Sequence, residues 1–169
     1  MKKTILGLMM TATLFACSSN GEKAANEVFT SDFKENSKVA LELFHGFENK
    51  DMTAFEKNLA DTAKIIGAKY GDSILTKAQN IANLTALTKL FVVSKANDIL
   101  LLPGVDTATL TPNGDVRAYV RWTDDAVNGA KIEHKYYAVL MFNKDHKVTV
   151  IDEYFDVTGM LNASTAPKK

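Results

Sequence analysis

The chain has 169 residues, 46% of them hydrophobic, with 20 basic side chains against 20 acidic ones. That balance provides no field able to hold nucleic acid or an anionic membrane surface, so nucleic acid is excluded as a partner. A single cysteine rules out an internal disulfide framework, and a single domain of this length must stand on its core alone.

The first element is "MKKTILGLMMTATLFAC". Lys2 and Lys3 precede an apolar run from Ile5 to Ala16, which ends at Cys17. A short basic segment followed by about 7–15 apolar residues has the make-up of a secretory signal peptide, and it is too short for a permanent membrane span. Leu14-Phe15-Ala16-Cys17 resembles the lipobox of bacterial lipoproteins. The resemblance implies removal of residues 1–16 and acyl chains on Cys17; the alternative is an ordinary secreted protein whose Cys17 lies by chance near the cleavage site. Two or three such chains give stable attachment, at about 0.8 kcal/mol per buried methylene. It implies a lipid-anchored bacterial envelope protein, periplasmic or surface-exposed, with membrane lipid as a partner. Residues 17–30 then form the lipidated cysteine and a flexible tether, 31–158 the one domain, and 159–169 a disordered tail.

Helices come next. Asp32 and Glu35 have the spacing of a capping box, and Val39, Leu43, Phe44 and Phe47 supply one apolar face. Asp51 is placed to cap a short helix over 52–60, and 63–66 reads as a short strand. Thr76 and Gln79 form a second capping box before a longer helix to about Ala96, with Ile81, Leu84, Leu87, Thr88 and Phe91 at helical spacing. After Asn97 the pattern changes to four strands divided by turn residues at 112–115, 128–129 and 143–146. Pro103 and Gly104 predict a bulge or an edge in the first of these strands. Helices followed by an antiparallel meander give an α+β fold with helices packed on one face of the sheet.

Register decides which side chains meet, because a slip of one residue turns a strand over. Two-residue turns at Asn128-Gly129 and Lys144-Asp145 put Val116, Ala118, Val120 and Trp122 on one face with Lys135, Tyr137, Val139 and Met141, and with Val150, Asp152 and Tyr154. Asp156 follows at the strand end. The other face carries Arg117, Tyr119, Arg121, Tyr136, Ala138, Leu140, Phe142, Ile151 and Phe155. It is too apolar for open water and predicts a second subunit packed sheet to sheet, or cover by a terminal segment. An odd-length turn at 143–147 would bring Tyr136, rather than Tyr137, to the face of Asp152.

Helix, short helix, short strand, long helix and meander, with Trp122, Asn128-Gly129, Asp145-His146-Lys147-Val148 and Tyr154-Phe155-Asp156, resemble the nuclear transport factor 2-like proteins, the SnoaL-like and ketosteroid isomerase-like group. His146 stands where that group usually has glycine. The resemblance implies a cone: a curved antiparallel sheet wrapped around the N-terminal helices, with a pocket between. Some members are enzymes using an aspartate base and a tyrosine or acid donor, while others bind small molecules or dimerise.

Asp152 and Asp156 are the candidate bases, since a carboxylate in an apolar pocket has its pKa raised. Tyr137 or Tyr154 is the candidate donor to a developing oxyanion, and Trp122 a candidate pocket floor. The same two carboxylates also suit a solvated rim, or acceptance of backbone N–H bonds at the strand end. His45, His134 and His146 lack metal-ligand spacing, so neither a metal nor another cofactor is expected. The expected function is binding of a small apolar ligand or an envelope protein. The alternatives are an isomerase, dehydratase or cyclase with an aspartate base in the cone, and a structural dimerisation module.

Overall fold

The computed structural model describes residues 29–167, so Cys17 and the expected signal segment lie outside the described residues. Helix α1 spans Ser31–Glu48 and starts at Thr30, whose hydroxyl accepts from Phe33 N at 3.1 Å. The cap therefore sits before Asp32, and Asp32 instead lies in the first turn, where an acid favours the helix dipole. Phe33, Ala40, Leu43 and Phe44 are buried on the sheet side. Helix α2 is Thr53–Asn58, with Asp51 accepting from Thr53 N at 3.0 Å. Strand β1 then runs Leu59–Ile66, longer than expected, and β2 is the short Leu75–Thr76.

Helix α3, Lys77–Leu87, carries the expected capping box: Thr76 N donates to Gln79 Oε1 at 2.9 Å and Gln79 N to Thr76 Oγ1 at 3.4 Å. It ends well before Ala96. A single 3-10 turn, Thr88–Leu90, leads into β3, Phe91–Val105. The β-branched pair Val92-Val93 explains the early stop, because such side chains favour the extended backbone. Strands β4 (Pro112–Ala126), β5 (Lys131–Phe142) and β6 (Val148–Phe155) complete one six-stranded sheet of order β2-β1-β6-β5-β4-β3. Strands β3 to β6 form the expected meander, and β1 joins it in parallel beside β6.

Pro103 does lie on an edge strand next to a register shift, and a second shift falls between Asn97 and Leu100. Such bulges bend and twist the sheet, which here curls around α1. The turn expected at 112–115 lies instead at 106–111, where Asp106 Oδ1 accepts from Ala108 N and Thr109 N at 3.0 and 2.8 Å. Asn113, Gly114 and Asp115 belong to β4. Glycine at 114 lets the strand approach α1 closely, since a Cβ there would stand 3.0 Å from that of Asp32, and Asn36 Nδ2 donates to Gly114 O at 2.7 Å.

The turns correct the expected register. Between β4 and β5 the loop has three residues, Val127-Asn128-Gly129, closed by Ala126 N to Ala130 O at 2.8 Å and Gly129 N to Ala126 O at 2.9 Å. Gly129 sits at φ 91° and Asn128 Oδ1 accepts from Ala130 N at 3.0 Å. Asn-Gly thus serves the last two places of a longer loop with a left-handed glycine, not a two-residue turn. Trp122 consequently pairs with His134 and Val120 with Tyr136. Between β5 and β6 the loop again has three residues, with His146 in the left-handed place at φ 55°. There the bulge at Thr149, between the Phe142–Val148 and Met141–Val150 pairs, restores the parity. The concave face therefore carries Trp122, Asp124, His134, Tyr136, Leu140, Ile151, Glu153 and Phe155. The convex face carries Tyr119, Tyr137, Asp152 and Tyr154.

Residues 157–165, most of them expected in a disordered tail from 159, form helix α4, Val157–Thr165. Met160 is buried, packed with Phe91 and Ala126 in a small second cluster, and Asn128 Nδ2 donates to Ala163 O and Ala166 O at 2.9 Å each. No helix among the described residues is long and apolar enough to cross a membrane.

Candidate functional site

A cavity of about 120 Å³ lies between α1, α3 and the concave face, with Met160 of α4 at one side. Its size is of the order of the ~150 Å³ apolar cavities that hold a benzene ring. The periodicity of α1 places Leu43, Phe44 and Phe47 on its wall. Trp122 meets Phe47 edge to face at a centroid distance of 5.2 Å, and Phe44 at 6.3 Å. Phe44 also meets Tyr136 edge-on at 6.2 Å. Trp122, the candidate pocket floor, lines this cavity.

Two polar pairs interrupt this apolar lining. The first is Asp124 with His134. Asp124 is only 2% exposed, and its Oδ2 lies 3.5 Å from His134 Nδ1. Burial raises the pKa of Asp124, opposed by the Ser94 hydroxyl and the His134 ring. Burial lowers that of His134, opposed by the charges of Asp124 and Asp156. The imidazole therefore favours its neutral form, and its ring stacks on Phe155 at 5.6 Å. Among the described residues, neither Asp124 Oδ1 nor His134 Nδ1 has a hydrogen-bond partner, although both are buried.

The second pair is Tyr136 with Glu153: the phenol donates to Glu153 Oε1 at 2.9 Å. Burial raises both pKa values; the Glu153 charge pushes Tyr136 up further, while the bond from Tyr136 holds Glu153 down. The phenol occupies Oε1, so a proton on Glu153 would sit on Oε2. A buried carboxylic acid of this kind is a hydrogen-bond donor as well as an acid.

The other expected site residues are elsewhere. Tyr137 and Tyr154 lie on the convex face in a row of tilted rings with Tyr119, at 4.7 and 5.6 Å between ring centroids. Asp152, on that same face, accepts from Tyr154 Oη at 2.8 Å. Asp156 caps α4, accepting from Gly159 N at 2.8 Å, which is the strand-end role open to it from the start. None of Tyr137, Asp152, Tyr154 and Asp156 lines the cavity. The shared hollow of Trp122 with Asp152 is overturned, because the three-residue turn at 127–129 rotates β5 and β6 by one residue relative to β4. Asp124, His134, Tyr136 and Glu153 take their place. Asp124 was within reach of sequence reasoning, since it is two residues from Trp122 in the same strand. No group of three metal-binding side chains converges among the described residues.

No protein-family model matches the chain, and no curated protein does. Solved structures do. A Bacillus subtilis protein assigned as an isomerase superposes with a TM-score of 0.67 at 14% identity, over 83% of this chain and 100% of that one. A protein from Jannaschia sp. CCS1 assigned as a SnoaL-like polyketide cyclase gives 0.61 at 15% identity, over 82% and 96%. A nuclear transport factor 2-like protein of unknown function from Burkholderia pseudomallei gives 0.60 at 15%, over 78% and 98%. At such identities the likeness shows the fold.

Proposed function

We propose that this chain, which has the nuclear transport factor 2/SnoaL-like fold, is a proton-transfer enzyme of the isomerase, dehydratase or cyclase kind, held at the bacterial envelope by lipid on Cys17. One observation carries the catalytic reading: Asp124–His134 and Tyr136–Glu153 face one apolar cavity. Neutral His134 removes a proton from the substrate, and Asp124 stabilises the imidazolium that forms. Glu153, oriented by Tyr136, gives a hydrogen bond or a proton to the oxygen on which charge develops. A base whose pKa burial lowers and an acid whose pKa burial raises suit such a division of labour. The isomerase and cyclase names among the structural neighbours agree with this chemistry.

The test requires no known substrate. Cyclohexanone in D₂O, followed by NMR, should exchange its α-protons faster with the protein, and His134→Gln should slow that exchange by about 100-fold. No exchange above the buffer rate, or full exchange in the variant, removes the acid–base reading. The anchor is tested separately: Cys17→Ser should move the protein from the membrane to the soluble fraction.

The convex face supports a sheet-to-sheet homodimer as part of the same reading. Tyr119 and Tyr154 are 41% and 54% exposed there, in one row of tilted rings with Tyr137. Exposed tyrosines on a sheet are good interface material. Sedimentation of the chain without residues 1–17 should show a dimer, and a monomer at high concentration sinks the proposal.

A further inference from the structure

Asp124, one of the residues lining the cavity, carries a buried oxygen with nothing to accept. Asp124 Oδ1 has no hydrogen-bond partner among the described residues, on a side chain only 2% exposed. Leaving such an oxygen unmet is expensive, whereas a donor that reaches it recovers the loss. The rest of the lining narrows what the donor can be attached to. It includes two carboxylates, Asp124 and Glu153, and neither lysine nor arginine. The remaining walls are largely aromatic, with Phe44, Phe47, Trp122 and Phe155 among them. A carboxylate entering here would find no lysine or arginine, only the Asn80 amide and an imidazole that burial biases to its neutral form, and would face Asp124 in a medium of low dielectric constant. An O–H or N–H group would find an acceptor, and a protonated amine would also find aromatic faces.

We propose that the cavity takes a small apolar molecule bearing a hydrogen-donating head, a hydroxyl or a protonated amine, seated on Asp124 Oδ1, and that it rejects carboxylates. The proposal rests on the cavity being the functional site, but not on turnover there. The apolar body packs on Trp122 and Phe47, and the donor head fixes its orientation next to His134.

Four matched probes test it on the full chain: benzyl alcohol, benzylamine, phenylacetate and toluene. Trp122 is the chain's single tryptophan and lines the cavity, so its fluorescence reports occupancy. Benzyl alcohol or benzylamine should bind about tenfold tighter than toluene, and phenylacetate should bind more weakly than either. A lead for the amine identifies a cationic head, and parity or a lead for the alcohol identifies a hydroxyl. Asp124→Leu should erase the donor's advantage while toluene still binds. Should that variant fail to fold, Asp124→Asn keeps an acceptor oxygen and should reduce benzylamine binding more than benzyl alcohol binding. Equal affinity for toluene and the alcohol, tight phenylacetate binding, or no response to any probe overturns the proposal. Failure of α-proton exchange in cyclohexanone would sink the enzyme and leave this selectivity in place.

Discussion

The sheet carries two tyrosine–carboxylate pairs of nearly the same hydrogen-bond length on opposite faces, one between β5 and β6 and one within β6. On the concave side Tyr136 donates to Glu153 at 2.9 Å, and on the convex side Tyr154 donates to Asp152 at 2.8 Å. Asp152, Glu153 and Tyr154 are consecutive in sequence, and the two hydrogen bonds are alike in length. What differs is their surroundings. Protein encloses the inner pair, and burial is the first cause of its raised pKa values. The outer tyrosine is exposed, and the bond to Asp152 itself is the first cause of its shift. Residue type and contact distance therefore do not make a site here; enclosure with an apolar cavity does.

The comparison breaks most sharply on activity. In the cyclohexanone exchange assay, Glu153→Gln should lower the rate by about 100-fold or more, since a positioned acid or base contributes roughly 10²–10⁴. Asp152→Asn, on the open face, should leave the rate unchanged. Equal effects from the two variants would mean that enclosure is not what separates the pairs.

Stability sharpens the same contrast between faces. Trp122 is 6% exposed and wedged against Phe44 and Phe47, so Trp122→Ala should cost about 3–5 kcal/mol in urea denaturation. Tyr154→Ala, half in solvent, should cost less than about 1 kcal/mol in the monomer.

Next in size is the turn that decides which residue faces where. Gly129 sits at φ 91°, and a methyl added there would meet no atom within 4 Å, so Gly129→Ala should cost only backbone strain, about 1–2 kcal/mol. His146 holds the matching place in the other hairpin at φ 55°, and its Nδ1 lies 2.7 Å from Asn36 Oδ1. The Asn36 amide nitrogen already donates to Gly114 O, so its oxygen must accept and His146 must donate. His146→Gly relieves strain and loses that bond, each worth about 1 kcal/mol, so chemical denaturation should show a change near zero.

These turns also mark how far the sequence could be read. The capping box at Thr76, the edge position of Pro103, the helix faces of Leu43, Phe44 and Phe47, and the α+β order all follow from local chemistry, and local chemistry survives folding. The pairing of β4 with β5 does not. Asn-Gly fits both a two-residue turn and the end of a three-residue loop, and the choice falls to contacts far along the chain: Asn128 holds the carbonyls of Ala163 and Ala166 in a segment that reads as tail. The left-handed glycine and that clamp settle the longer loop, and with it every side chain of β5 and β6 changes sides relative to Trp122. Tyr136, the alternative tyrosine, and not Tyr137, therefore reaches the cavity. His134 drew attention only as a metal ligand, since a lone histidine announces no acid–base role until a buried carboxylate stands beside it.

The smallest effect separates the two faces by pH. Glu153 has a folded pKa raised above its unfolded value, chiefly by burial. The folded chain therefore holds that proton longer than the unfolded chain. The resulting stabilisation is complete below the ordinary carboxylate range and is lost as pH rises through the raised value. Glu153→Gln removes this dependence, so its melting temperature should match the parent near pH 4 and exceed it progressively toward neutrality. Burial also raises Asp124, which adds to the parent's loss over a similar window in both proteins and cancels in the difference. His134 acts in the opposite direction: burial lowers its pKa, so stability falls as pH drops through the ordinary imidazole range, again in both. Asp152→Asn is the control from the open face. Calorimetric scans from pH 4 to pH 8 should therefore give a widening gap between Glu153→Gln and the parent. A constant gap would show that Glu153 releases its proton in the folded chain as easily as in the unfolded one, and that the inner pair is no more enclosed than the outer.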